Sequence, residues 1–131
     1  MTDIPYLFVY GTLMRGLLLH GLIAERSVFV GEGTIVARLI DLGRYPGAIP
    51  DVDARLRGEV FRLDSAEVWR TLDSVEGPQY HRTRVPVEMG AQRLEAFVYW
   101  YHGPLDRSVP VPGGDWRAHA PARSIHRTPI V

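Results

Sequence analysis

The chain has 131 residues, with 15 arginines, no lysine, 15 acidic residues and no cysteine, for a formal net charge of zero. That length suits one domain over residues 1–131, and 46% hydrophobic with 23% charged residues are globular values that exclude chain-wide disorder. Without cysteine there is no disulfide, thiolate metal site or thiol nucleophile; without lysine, no Schiff base; without excess positive charge, no basis for non-specific nucleic-acid binding.

The chain opens without the basic region of a targeting segment. Its apolar stretch over 17–23 is broken by His20 and Gly21 and falls short of the roughly 20 residues that span a bilayer. The expectation is a cytoplasmic protein with neither a membrane nor a nucleic acid as partner.

In chain order, residues 6–10 read as a buried strand that ends at Gly11-Thr12. Residues 16–25 suit one or two helical turns. Residues 28–42, rich in Val and Ile, read as one long or two short strands, with Gly31 and Gly33 marking a bend or bulge. A loop follows over 44–47 and 50–51. Residues 58–63 form another strand, with Val60 and Leu56 facing inward. The clearest helix starts at Asp64, an N-cap completed as a capping box by Glu67, and places Val68, Trp69, Leu72 and Val75 on one face before Gly77-Pro78 stop it. Tyr80–Met89 and residues 93–101 are two strands around Gly90-Ala91-Gln92. From about residue 103 the chain is a Pro/Gly-rich tail anchored at Asp115-Trp116. The sum is about six strands and one good helix: an α+β, mainly β fold, most simply a small barrel with peripheral helices. Phe8, Val60, Trp69, Leu72, Val85 and Val98 are its expected core.

The histidines (His20, His81, His102, His119, His126) show no metal-ligand spacing, Asp51 and Asp53 stand alone, and no serine lies in a nucleophile elbow. Gly31-Glu32-Gly33 lacks the third glycine of a dinucleotide fingerprint. Two places remain. Val9-Tyr10-Gly11-Thr12-Leu13 runs an apolar strand into a glycine turn, which is either an ordinary strand exit or a nest of N–H groups that binds an anion. Glu76 ends the helix, where the dipole opposes a negative charge. It is either a solvated helix-end carboxylate or one whose raised pKa suits proton transfer.

Phe8-Val9-Tyr10-Gly11-Thr12-Leu13-Met14-Arg15-Gly16 resembles the Y-G-[ST]-L-x-x-G opening of the gamma-glutamyl cyclotransferase-like superfamily, which includes the gamma-glutamylamine cyclotransferases. Leu72-Asp73-x-x-Glu76-Gly77-x-x-Tyr80-x-Arg82 is similar to its second signature. Tyr45-Pro46-Gly47, Gly58-Glu59-Val60 and Gly114-Asp115-Trp116 match further family features in order, so the resemblance covers residues 6–117. It implies a closed barrel with a cavity at one end, a substrate loop at Tyr10, Gly11, Thr12 and Leu13, and Glu76 as catalytic acid/base. Tyr45, Tyr80 and Tyr10 become candidates for the pocket wall, although both Tyr10 and Tyr80 also suit a core position with a satisfied hydroxyl.

The reaction so implied needs no enzymic nucleophile, cofactor or metal. The α-amine of a small gamma-glutamyl amide attacks its own γ-carbonyl, releasing 5-oxoproline and an amine or amino acid. The alternatives are a non-catalytic module that binds a small molecule in the same pocket, and a gamma-glutamyl acyl transferase or hydrolase.

Overall fold

The computed structural model describes residues 5–43 and 45–119. Arg44 of the expected loop, His126 and the end of the tail lie outside the described residues. In chain order come β1 (Tyr6–Val9), α1 (Gly21–Ala24), β2 (Ser27–Val36), β3 (Arg38–Asp41), β4 (Pro46–Ile49) and β5 (Arg55–Leu63). α2 (Ala66–Glu76), β6 (Tyr80–Met89), β7 (Gln92–Tyr101), β8 (Val109–Pro110) and α3 (Trp116–His119) follow.

The strands close into a barrel in the order β1-β5-β2-β6-β7, and a second sheet runs β4-β3-β8. The pairing of β1 with β7 is parallel and the other barrel pairings are antiparallel, so the barrel is mixed. Phe8 faces Val60 across β1 and β5, and Val85 faces Ala96 across β6 and β7. These residues, with Val87 and Val98, are buried at alternate positions, as the period of two requires of an inner face. The barrel thus closes with five strands rather than about six, and three further strands lie outside it.

Two glycines let the barrel draw tight. A Cβ at Gly58 would strike the Val9 carbonyl, and one at Gly33, the cross-strand partner of Gly58, would stand 2.6 Å from Val87 Cγ1. The expected bulge is present, with the β2–β5 register shifting between Phe29 and Gly31. The long apolar segment breaks at Ala37 into two strands, because the Ala37 N–H turns to the Ala54 carbonyl at 3.2 Å.

Helix α2 differs from expectation in three respects. Its N-cap is Ser65, whose hydroxyl accepts from the Val68 N–H, while the Asp64 N–H is committed to the Arg26 carbonyl. With the cap shifted by one residue, Glu67 no longer completes a capping box and instead meets Arg26 at 3.3 Å. Val75 is 42% exposed, and the buried stripe is Val68, Leu72 and Glu76. Trp69 is half-buried, set edge-on to Phe97 with the Arg82 guanidinium over its ring, so it belongs to the outer surface of β7 and not to the core.

Pro46–Ile49, expected as loop, is a strand, since proline is tolerated as the first residue of a strand. The segment after residue 103 is tied down by β8 on β3 and by the buried Val111, as well as by the expected Trp116. Among the described residues no helix is long and apolar enough to cross a membrane.

Candidate active site

The turn that leaves β1 is defined by where its carbonyls go. Gly11 O accepts from Met14 N at 3.0 Å, Thr12 O from Leu19 N at 3.0 Å, and Leu13 O from His20 Nδ1 at 2.8 Å. Because a carbonyl only accepts, that ring nitrogen of His20 carries its hydrogen. The hydrogen bonds found among the described residues use none of the N–H groups of Gly11, Thr12 and Leu13. The Thr12 hydroxyl is also buried without a partner among the described residues. Buried polar groups are as a rule paired, so a turn with its carbonyls spent and these donors without a partner among the described residues has capacity for an acceptor.

Tyr10 heads the turn. Its hydroxyl donates to the Tyr99 carbonyl at 2.7 Å and accepts from the Ala48 N–H at 3.1 Å. The Tyr80 hydroxyl donates to the Pro46 carbonyl at 2.9 Å. Both phenols therefore stitch β4 to the barrel, and the Tyr45-Pro46-Gly47 segment lies against them. Tyr45 and Tyr80 have ring centroids 6.4 Å apart, and a Cβ at Gly47 would sit 2.9 Å from Tyr101 Cβ.

Glu76 occupies the last position of α2 and is only 3% exposed, so it is not a solvated helix-end carboxylate. Residues 68, 72 and 76 share the inward face at intervals of four. Its charge reaches three phenols. Burial raises the pKa values of Tyr10, Tyr80 and Tyr99 well above the ordinary tyrosine value, and the Glu76 carboxylate raises each further. These hydroxyls stay protonated through the neutral range and act as donors there, never as bases. The Glu76 charge thus acts on Tyr10 and Tyr80, Tyr45 lies against Tyr80, and Gly11, Thr12 and Leu13 continue directly from Tyr10.

Sequence reasoning had not singled out Tyr99 for a role, and Asp73 and Arg82 stood only as motif letters. Asp73 accepts two hydrogen bonds of 2.8 Å from Arg82 and one of 2.7 Å from the Tyr99 hydroxyl. Burial works to raise the Asp73 pKa, but these bonds outweigh it and hold the carboxyl below its usual range. Asp73, Tyr80, His81, Arg82, Thr83 and Tyr99 line a cleft of about 360 Å³, and two of those tyrosines also feel Glu76. The available signal was the cross-strand register, in which Tyr80 faces Tyr101 and Arg82 faces Tyr99.

A larger cleft, about 450 Å³, opens elsewhere, between strands β2, β5 and β6, with Met14, Glu32, Arg57, Glu59 and Arg117 among its walls. Size alone favours it. Glu76 is not among its walls, however, and its most buried charge is already answered: Glu59, 4% exposed, takes hydrogen bonds from both Arg15 and Arg117. The histidines are dispersed. His20 serves the turn, His81 stacks on His102 with centroids 4.5 Å apart, and His119 meets Asp41 at 3.0 Å. Among the described residues no three His, Cys, Asp or Glu side chains are grouped to hold a metal ion.

The mixed five-stranded barrel, its glycine turn and its buried glutamate belong to a chain whose family the comparisons identify. The family described as gamma-glutamyl cyclotransferase, AIG2-like, matches residues 7–118, and the chain belongs to that family. A relative in Methanocaldococcus jannaschii, assigned only provisionally as a gamma-glutamylcyclotransferase, is 30% identical over 121 residues, covering 86% of this chain and 95% of that one. An uncharacterized protein of Pyrococcus horikoshii shares the fold at a TM-score of 0.74 and 24% identity, covering 95% of this chain and 99% of that one. A mouse AIG2-like protein matches at a TM-score of 0.64 and 26% identity, covering 76% and 78%. Family membership supports a gamma-glutamyl cyclotransferase-like function acting on a small gamma-glutamyl substrate.

Proposed function

We propose that the protein cleaves a gamma-glutamyl amide by intramolecular aminolysis, with Glu76 as the general acid/base. The observation that carries this reading is a buried Glu76 whose charge acts on Tyr10, the residue that heads a turn whose N–H groups make no hydrogen bond found among the described residues. Gly11, Thr12 and Leu13 hold the anionic part of the gamma-glutamyl group through those N–H groups, with the Thr12 hydroxyl as a further donor. Tyr10, Tyr45 and Tyr80 shape the wall. Since the hydroxyl hydrogens of Tyr10 and Tyr80 are spent on backbone carbonyls, their contribution is shape and fixity.

Held in a folded conformation, the substrate brings its α-nitrogen against its γ-carbonyl carbon, and the reaction gains the advantage of an intramolecular attack. Glu76 takes a proton from the α-ammonium, which frees the lone pair for attack. A C–N bond forms, the carbonyl becomes a tetrahedral adduct, and collapse breaks the bond to the leaving nitrogen. Glu76 delivers its proton to that nitrogen as the bond breaks, then takes the second proton from the new ring nitrogen and passes it to the released amine. Overall two protons pass from the α-nitrogen to the departing amine, no electrons are exchanged, and the products are 5-oxoproline and a free amine.

The reading is tested by incubation with a panel of gamma-glutamyl amides, followed by mass spectrometry. Formation of 5-oxoproline supports it, glutamate would indicate a hydrolase, and binding without turnover would indicate a sensing or carrier module.

A further inference from the structure

We infer that Glu59 is a positioning residue that fixes the 10–13 turn from outside the barrel. Glu59 stands opposite Val9, the last residue of β1, and points away from the inner face on which its neighbour Val60 packs. From there its carboxylate reaches past the end of β1. Oε1 accepts the backbone N–H of Arg15 at 2.8 Å, and Oε2 accepts from Arg15 Nε at 3.3 Å and Arg117 Nη2 at 3.1 Å. A carboxylate so deeply buried is tolerated only when donors surround it, and here three do. With its oxygens so engaged, Glu59 is not available as a base.

The backbone bond is what gives this arrangement a function. Arg15 lies two residues beyond Leu13, so Glu59 pins the far end of the turn while the Tyr10 hydroxyl pins the near end. Between the pins, Met14, Leu19 and His20 tie down the three carbonyls, while the N–H groups of Gly11, Thr12 and Leu13 make no hydrogen bond found among the described residues. Donors fixed in advance need no reorganisation when an anion arrives, and this is the source of their strength. Arg117 belongs to α3, whose Trp116 is buried, so the same carboxylate couples the C-terminal helix to the turn.

The effect on substrate rests on the reading of the turn as the gamma-glutamyl loop, whereas the mechanical effect does not. The test is residue-resolved amide exchange by NMR on the full chain, comparing wild type, Glu59→Ala and Glu59→Gln. The Arg15 amide should lose protection at least tenfold in Glu59→Ala, with β6 and β7 amides changed less than threefold. Glu59→Gln leaves one acceptor oxygen for three donors and should lose protection by an intermediate factor of threefold or more. If Glu59→Ala does not fold, Glu59→Gln carries the test. Unchanged Arg15 protection, or loss spread equally over β6 and β7, would overturn the inference. In the 5-oxoproline assay both variants should raise KM more than they lower kcat, and a loss confined to kcat would also overturn it. A wild type that forms no 5-oxoproline would refute the proposed reaction, yet leave the exchange experiment to decide the role of Glu59.

Discussion

Tyr10 and Glu76 are electrostatically coupled across the fold: the phenol that ends β1 feels the carboxylate that ends α2, and its pKa is raised first by burial and then by that charge. The ends of two elements far apart in sequence thus act on one another, and the 10–13 turn continues from Tyr10. The consequences of this arrangement can be measured residue by residue.

Removing one oxygen at Tyr10 should damage stability more than its size suggests. Tyr10→Phe keeps the ring but strands the Ala48 N–H and the Tyr99 carbonyl, both bonded to that hydroxyl in the interior. Leaving buried polar groups unpaired costs about 1–3 kcal/mol. Urea unfolding of the variant should show that loss, and an unchanged midpoint would mean that the hydroxyl is replaceable by water.

The two large apolar residues of α2 should separate cleanly in the same assay. Leu72 is fully buried, so Leu72→Ala should cost about 2–5 kcal/mol as a core truncation. Trp69 lies half-buried on Phe97 beneath Arg82, so Trp69→Ala should cost only about 1–2 kcal/mol, largely as lost ring packing. Equal losses would place Trp69 in the core after all.

Acid should weaken the anchor next to Glu76. The Asp73 carboxyl is held below its unfolded value of 3.8 by Arg82 and Tyr99, against the opposing effect of burial. A depressed carboxyl pKa contributes stability above the unfolded value, and that contribution is lost as pH falls through the lower folded one. Wild type should therefore exceed Asp73→Asn in stability at pH 7 and converge on it only as pH falls below the usual carboxylate range. Because the side chain is 44% exposed, solvent screening keeps the difference small.

How far the sequence specifies this molecule depends on the element. Strand β1 was legible as a short continuous apolar run and β6 from its alternation, and a small barrel was legible from many short strands with few helices, its closure only through the family resemblance. Strand β4 was not, because Pro46 and Gly47 carry loop signals that tertiary pairing with β3 overrides. The N-cap slipped by one residue because Asp64 and Ser65 both cap well, and only the Arg26 carbonyl, distant in sequence, settles which is free. At Glu76 a signal was present but outweighed. Counting Val68, Leu72 and Glu76 in steps of four puts the glutamate on the buried stripe, whereas an apolar-only count assigned that face to Trp69 and Val75. Glu59 gave no local sign, since its partners Arg15 and Arg117 are brought to it only by the folded chain.

The central claim is that Glu76 moves protons for a reaction in which the substrate supplies its own nucleophile. Glu76→Gln keeps the size and much of the hydrogen bonding of the side chain but cannot take and return a proton. The decisive measurement is 5-oxoproline formation from a gamma-glutamyl amide by wild type and by Glu76→Gln, with kcat and KM separated. Loss of a general acid/base typically costs about 10² to 10⁴-fold, and one group serving both proton transfers should fall near the upper end, in kcat and with KM little changed. A variant that folds normally and retains more than about a tenth of the wild-type kcat would contradict the account.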